Sequence, residues 1–418
     1  MNQTERLIFH VDVNSAYLSW EAARRVAAGG EDLRLIPSAI GGDKDKRTGV
    51  ILAKSIPAKK FQIKTGEPVR TALQKCPQLV LARPDFRLYH ECSRAFVEIC
   101  GRYAPVVEKF SIDECFLDMS GTAVLYPDPA AAARAIKDEI RDTLHFTVNI
   151  GVSTNKLLAK MASDFEKPDR VHTLFPAEIP AKLWPLTVRA LFSVGRATAQ
   201  RLEQAGIYSI GDLAQTRLQQ VQTLVGKKLG RQIHNYANGI DDSPVLAEQE
   251  KAKEYSISTT LEEDVVSANQ ANPILLALAD GVSARMRADG AKAFCVTVTI
   301  RTHTFRTRSH QKTLSAPTDI TTEIYEIALQ LFGELWDGHT PLRLLGIALS
   351  QLTEEPYEQV TLFSDEKRDK ARKIDQTVDQ IRCRYGTNTI VRGGAYEMSR
   401  KVGKKYQAQM DGKKKKKP

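Results

Sequence analysis

The stretch VVEKFSIDECFLDM, residues 106–119, decides how the chain is read. Two apolar, branched runs, Val106 to Ser111 and Cys115 to Met119, are separated only by Ile112-Asp113-Glu114, which predicts two short strands joined by a tight hairpin. Upstream, Leu7-Ile-Phe-His-Val-Asp12 is another short apolar run ending at a carboxylate, the pattern of a buried strand. Trp20 to Ala28 and Leu88 to Tyr103 read as helices. Downstream, Asp128-Pro129 supplies an N-cap and first helical residue, and Ala133, Ile136, Ile140 and Leu144 recur at helical spacing behind it. Phe146 to Val152 predicts a further strand and Asn155 to Phe165 a further helix. Strand, helix, strand, strand, helix, strand is the order of a ferredoxin-like sheet.

That sheet sets the first strand beside the hairpin and so gathers Asp12, Asp113 and Glu114. Clustered carboxylates repel one another, and hard oxygen ligands with open positions suit Mg²⁺ holding phosphates. Two such ions about 3.5–4 Å apart can activate an attacking hydroxyl and stabilise a leaving pyrophosphate oxygen. Phosphoryl transfer is the chemistry this pattern points to. Taken alone, three acidic residues at strand ends are more often solvated turn caps, so the neighbourhood of each must decide.

Past Pro168 the texture changes to short helices, Ile179 to Leu183, Thr198 to Ala205 and Ile210 to Ala214, with tight connections at Gly195, Gly206 and Gly211. Ala247 to Glu254 is polar and charged, the composition of a linker. An α+β module follows: a helix 273–288, a strand with Phe294, Val296, Val298 and Ile300 on one face, basic residues, a helix 318–336 and a strand Leu344 to Leu349. From about Lys401 the chain is lysine-rich.

The 418 residues carry 60 Lys+Arg against 50 Asp+Glu, with 42% hydrophobic residues, which excludes wholesale disorder. The net charge of +10 is not spread evenly. Residues 366–418 hold 17 basic and 6 acidic residues, whereas the preceding 365 hold 43 and 44. Two local basic stripes survive that averaging, Lys44 to Lys64 and Gly281 to Lys312, each with seven basic residues and one acid. Solvated loops and nucleic-acid contacts account for such stripes equally well. No apolar run approaches a bilayer span, Met1 to Phe9 is not a signal peptide, and six cysteines without a C-x-x-C pair suggest reduced thiols, so a cytoplasmic, non-membrane protein is expected.

Three strings narrow the reading further: FHVDVNSAYLSWE at 9–21, KFSIDECFLDMSG at 109–121 and GVSTNKLLAKMASDFEKPDR at 151–170. In this order and at this spacing the chain resembles the Y-family, or lesion-bypass, DNA polymerases, most closely the DNA polymerase IV type, from about Leu7 to Phe363. The resemblance implies a multidomain α+β right-hand polymerase. Palm and fingers would span 1–174, with the palm ferredoxin-like and small fingers at about 19–80. A thumb with a helix-hairpin-helix would span 175–245, a linker 246–253 and an α+β little finger 254–350. A clamp-binding peptide and basic tail would occupy 351–418. It implies low-fidelity, distributive insertion of deoxynucleotides at a primer end by a monomer. Carried over residue by residue, Asp12, Asp113 and Glu114 would hold two Mg²⁺ ions with the Val13 carbonyl. Lys167 and Lys59 would meet the triphosphate, and Tyr17 would occupy the steric-gate position that excludes a ribose 2′-OH.

The resemblance also implies DNA contacts. FSVGRATAQRLEQAGIYSIGDLA at 192–214 resembles a helix-hairpin-helix, whose Gly195 turn would aim backbone N–H groups at a phosphate. With Phe294, Val296, Val298 and Ile300 inward, Thr297, Thr299 and Arg301 would face out and meet the backbone together with Arg306 and Arg308. Gln359-Val360-Thr361-Leu362-Phe363 resembles the Q-L-x-L-F peptide that docks on a sliding clamp, with Gln359, Leu362 and Phe363 as anchors. Three departures stand out. Asn14 replaces the usual second acid, Ile56-Pro57-Ala58-Lys59 replaces Y-x-A-R, and Ser193-Val194-Gly195 replaces G-x-G. A catalytically silent palm-fold DNA-binding protein and a different palm-type nucleotidyl transferase or cyclase are the alternatives, against which stand the intact acids, the helix-hairpin-helix and the clamp peptide.

Overall fold

The computed structural model of the chain describes residues 6–43, 49–248, 251–355, 366–387 and 389–395. The chain forms two compact units, residues 1–41 with 50–249, and the remainder.

In the first unit, strand β1 (Ile8–Val13) is buried at every residue, which is why its sequence is a continuous apolar run rather than an alternation. Helix α1 (Ala16–Ala27) follows, starting earlier than Trp20 because Ser15 turns the chain in the left-handed region at φ 50°. Next come β2 (Ser38–Gly41), β3 (Ile51–Lys54), α2 (Ile56–Lys59), α3 (Val69–Lys75) and β4 (Val80–Ala82), whose strands pair in the order β3-β2-β4. The chain continues through α4 (Phe86–Tyr103), β5 (Val106–Lys109), β6 (Glu114–Asp118), α5 (Pro129–Leu144), β7 (Val148–Ser153), α6 (Lys156–Ser163) and β8 (Val171–Thr173). The large sheet runs β5-β6-β1-β7-β8, a ferredoxin-like antiparallel order with β8 added parallel to β7.

The period-two rule then sorts the side chains. Phe9, Val11 and Val13 of β1 join Phe96, Ile136 and Ile140 in the main core. Ile8 instead packs with Phe116 and Ala159, which puts His10 and Asp12 on the face covered by α6. Gly151 permits that cover, since a Cβ there would stand 1.9 Å from the Ala159 carbonyl oxygen and 2.5 Å from the Ser163 nitrogen. Asn155 starts α6 as an N-cap, its Oδ1 accepting from the Leu158 N–H at 2.8 Å. The loop of the hairpin is longer than its sequence suggests. The β6 strand opens at Glu114, so Glu114 lies in the ladder opposite Asp12 rather than in the turn.

Helices α7 (Arg196–Gln204), α8 (Ile210–Gln215), α9 (Leu218–Val225) and α10 (Lys227–Ala237) complete the first unit. Their Leu202, Ile210, Leu213, Val221 and Ile233 share a core with Leu157, Leu158 and Met161 of α6. Helices α9 and α10 are additional to the short helices expected from the sequence of this stretch.

The second unit contains β9 (Glu254–Val265), α11 (Ala268–Ala288), β10 (Lys292–Thr302), β11 (Thr307–Thr318), α12 (Thr321–Leu335), β12 (Leu342–Thr353) and α13 (Glu366–Tyr385). The sheet order is β11-β10-β12-β9, antiparallel throughout. Three expectations change here. Phe294 falls at a register shift between Ala293 and Cys295 and is only half-buried, so Ala293, Val296, Val298 and Ile300 make the core face. The basic stretch after β10 is itself a strand, exposed from Thr307 to Thr313 and therefore without apolar alternation. Beyond residue 365 the chain is not simply a basic tail, because α13 is bound to the unit by buried ion pairs. Asp375 accepts from the Thr321 N–H at 2.7 Å, Arg287 meets Asp379 at 2.7 Å, and Arg382 meets Asp280 at 2.8 Å.

Candidate active site

At the end of β1, Asp12 sits opposite Glu114 on β6 and opposite Asn149 on β7. Asp113 adjoins them: its carbonyl accepts from the Val13 N–H at 3.0 Å, and its carboxylate accepts from the Ser111 hydroxyl at 2.6 Å. The α6 face supplies two ammonium groups to these acids. Lys160 donates to Glu114 Oε1 at 2.8 Å and lies 3.9 Å from Asp12 Oδ2. Lys167, in the loop after α6, donates to Asp12 Oδ2 at 3.1 Å and meets Asp164 at 2.8 Å.

Burial pushes the Asp12 carboxyl up to about 7, against the downward pull of Lys167 and Lys160 and with the Glu114 charge adding to the rise. Glu114 is also penalised by burial, yet His10 and Lys160 outweigh this and hold it well below the usual carboxylate range. His10 is fully buried behind the pair, its Nδ1 2.8 Å from the Ser163 hydroxyl and its Nε2 3.7 Å from Glu114, longer than a hydrogen bond. Among the described residues, no three His, Cys, Asp or Glu side chains converge into a ready cation cage. The donor chemistry nevertheless fits a hard divalent cation: the carboxylates of two adjoining strand ends lie on a protein face that already answers their charge with ammonium groups.

Tyr17, on the first turn of α1, is half-buried and stacks on Tyr89 with ring centroids 4.6 Å apart, flanked by Trp20 and Phe86. Burial raises its hydroxyl pKa, and the charge of Asp113 adds to the rise, so the ring stands on the acidic side of the site. Lys59 ends α2 in an exposed position, where it and Lys54 repel one another; burial and that repulsion lower the Lys54 pKa.

Residues 11–164 match the impB/mucB/samB family, residues 252–362 match that family's C-terminal domain, and residues 189–241 match the DNA polymerase-iota thumb domain. The chain is 41% identical to DNA polymerase IV of Clostridium acetobutylicum over 95% of its own length and all of that protein. It is 35% identical to DNA polymerase IV 1 of Bacillus subtilis over 93% and 92% of the two chains. The chain belongs to the Y family of DNA polymerases. A solved Y-family DNA polymerase chimera shares its fold with a TM-score of 0.72, at 21% identity, over 84% of this chain and all of that one.

This polymerase is a DNA-directed DNA polymerase of the lesion-bypass type. Its substrates are primer-template DNA and deoxynucleoside triphosphates, and it depends on a divalent metal. The silent accessory reading is set aside. Its thumb begins α7 at Gly195, preceded by Ser193 in the left-handed region at φ 74°, where the family pattern has a glycine. On its second-unit sheet Thr297, Thr299 and Arg301 share the face away from the helices, and Arg301 donates to Thr307 at 2.9 Å. Arg306 is exposed in the turn before β11.

Arg308 does not join that face. It pairs with Ile300, and cross-strand partners point the same way, so Arg308 is directed to the α12 side along with Lys312, which donates to Gln330 at 2.8 Å. Lys160 and Asn149 were not singled out from sequence as site residues. Only the helical phase of α6 brings Lys160 onto Glu114, although its A-K pair sits inside the 151–170 string. Gln359, Leu362 and Phe363 lie outside the described residues. Among those described, no helix is long and apolar enough to cross a membrane.

Proposed function

We propose that Asp12, Asp113 and Glu114, with the Val13 carbonyl, hold two Mg²⁺ ions and that this centre extends a primer opposite damaged as well as intact template bases. The observation that carries this reading is the cross-strand pair of Asp12 and Glu114 covered by Lys160 and Lys167. When bound, the two ions would activate the primer 3′-hydroxyl and stabilise the pyrophosphate oxygen that leaves. The remaining work belongs to the chain. Lys167 exchanges Asp12 for a triphosphate oxygen, and Lys59 adds charge without the bidentate fork an arginine would give. Lys160 keeps Glu114 ionised and in place. Tyr17, backed by Tyr89, fills the space a ribose 2′-OH would need.

The domain assignment that goes with this is palm and fingers over 1–174, thumb over 175–245, linker over 246–253 and little finger from 254, with α13 added to it. Thr297, Thr299, Arg301 and Arg306 track DNA phosphates from the outer sheet face, and Gly195 does so from the thumb. The enzyme acts as a monomer in the cytoplasm, distributively unless Gln359, Leu362 and Phe363 dock on a sliding clamp. Calorimetric titration of Mg²⁺ into the protein with chain-terminated primer-template and the next nucleotide tests the centre. Wild type binds the ion, and Asp113→Ala with Glu114→Ala loses most of the heat; an unchanged isotherm would refute the ligand assignment.

A further inference from the structure

We propose that Asn14 and Asn149 are positioning residues, an interlocked pair of buried amides that holds the Lys167 loop, and that this polymerase requires an amide where the family pattern has an acid. The inference rests on the proposed contact of Lys167 with the triphosphate.

Asn149 is fully buried on β7, and every polar valence of its side chain is used. Its Nδ2 donates to the carbonyls of Ser163 at 3.1 Å and Glu166 at 2.7 Å, while its Oδ1 accepts from the Arg170 N–H at 3.2 Å and from Asn14 Nδ2 at 3.1 Å. Rotating the amide would set oxygen against two carbonyls and nitrogen against two donors, so its orientation is locked by the network. Asn14, 8% exposed, uses its remaining atom in the same direction: Oδ1 accepts from the Asp169 N–H and the Thr147 hydroxyl, both at 2.9 Å.

The loop is thus held just before Lys167, at Glu166, and just after it, at Asp169 and Arg170. Asp169 adopts φ 60°, a left-handed conformation that a non-glycine residue keeps only when its surroundings enforce it. Asn149 stands on β7 directly opposite Asp12, and Asn14 follows Asp12 by two residues just past the end of β1, so one scaffold sets the acid and the lysine in register.

Position 14 therefore needs an acceptor for two donors and a donor for Asn149 Oδ1. An aspartate supplies only acceptors. It would place a second bare oxygen against Asn149 Oδ1, which cannot turn away. Restoring the family's acid is expected to harm this enzyme, not improve it.

Single-nucleotide insertion kinetics test this. Asn14→Asp is expected to raise the KM for the incoming deoxynucleotide about tenfold or more, the cost of an unmet buried polar contact, with a smaller change in kcat. Asn149→Ala is expected to do the same. In a Lys167→Ala background neither change raises KM further, whereas a merely structural defect would multiply with it. Should N14D not accumulate as folded protein, Asn14→Ala, which adds no charge to the core, carries the same test with a smaller rise. A normal KM in N14D and N149A while K167A is impaired would overturn the inference. A normal KM in K167A would instead overturn the lysine's role in nucleotide binding, and the inference with it.

Discussion

Tyr17 is held from behind by a stacked ring, Tyr89, and from the sides by Trp20 and Phe86, so its ring cannot swing away from a nucleotide sugar without unstacking. Rigidity of this kind is what a size filter needs. Tyr17→Ala is expected to raise ribonucleotide insertion about 10- to 100-fold relative to deoxynucleotide insertion, the factor that removal of a 1–3 kcal/mol clash allows. Insertion assays with matched ribo- and deoxynucleotides check it, and an unchanged ratio would remove Tyr17 from sugar selection. At this scale the acids and Lys167 were legible because the strings around them carry their own context. Lys160, His10 and Asn149 were not. Each is a polar residue on an otherwise apolar element, and only the pleat of β1 and β7 and the turn of α6 show that all three face the carboxylates.

The elements were legible where burial imposes a pattern. Asp128 and Pro129 start α5 where the cap residues predict, with the Asp128 side chain accepting from the Ala130 N–H at 2.9 Å. β11 escaped because both of its faces are exposed over most of its length, and α13 because its contacts are ionic rather than apolar. Those ionic contacts carry a measurable load. Asp375 is 2% exposed and answers Arg287, Arg392 and the N-terminal amide of α12 together. Asp375→Ala takes one buried carboxylate partner from Arg287 and Arg392, which keep only Asp379 and Asp280, and strands the Thr321 N–H, so about 1–3 kcal/mol of stability is expected to be lost from the second unit. Chemical unfolding of the full chain checks this; an unaltered transition would mean that α13 is held by something other than these pairs.

For the whole molecule, the charge of +10 is weak evidence about DNA, and the structure sharpens why. Arg368, Arg372, Arg382 and Arg392, all in the basic C-terminal portion, are engaged with Glu323, Asp319, Asp280 and Asp375 within the second unit. The surplus beyond residue 395 is nine Lys+Arg against two Asp+Glu, all outside the described residues. Such a segment adds a salt-sensitive, sequence-independent attraction to DNA. In the proposed function, chemistry instead depends on Asp12, Asp113 and Glu114 meeting where β1 and β6 adjoin. Primer extension on an undamaged and a lesion-bearing template, with Mg²⁺, is the most direct measurement of that claim. Wild-type protein extends both primers and the Asp113→Ala, Glu114→Ala double variant extends neither while still binding the DNA. Extension that persists in the double variant would contradict the account.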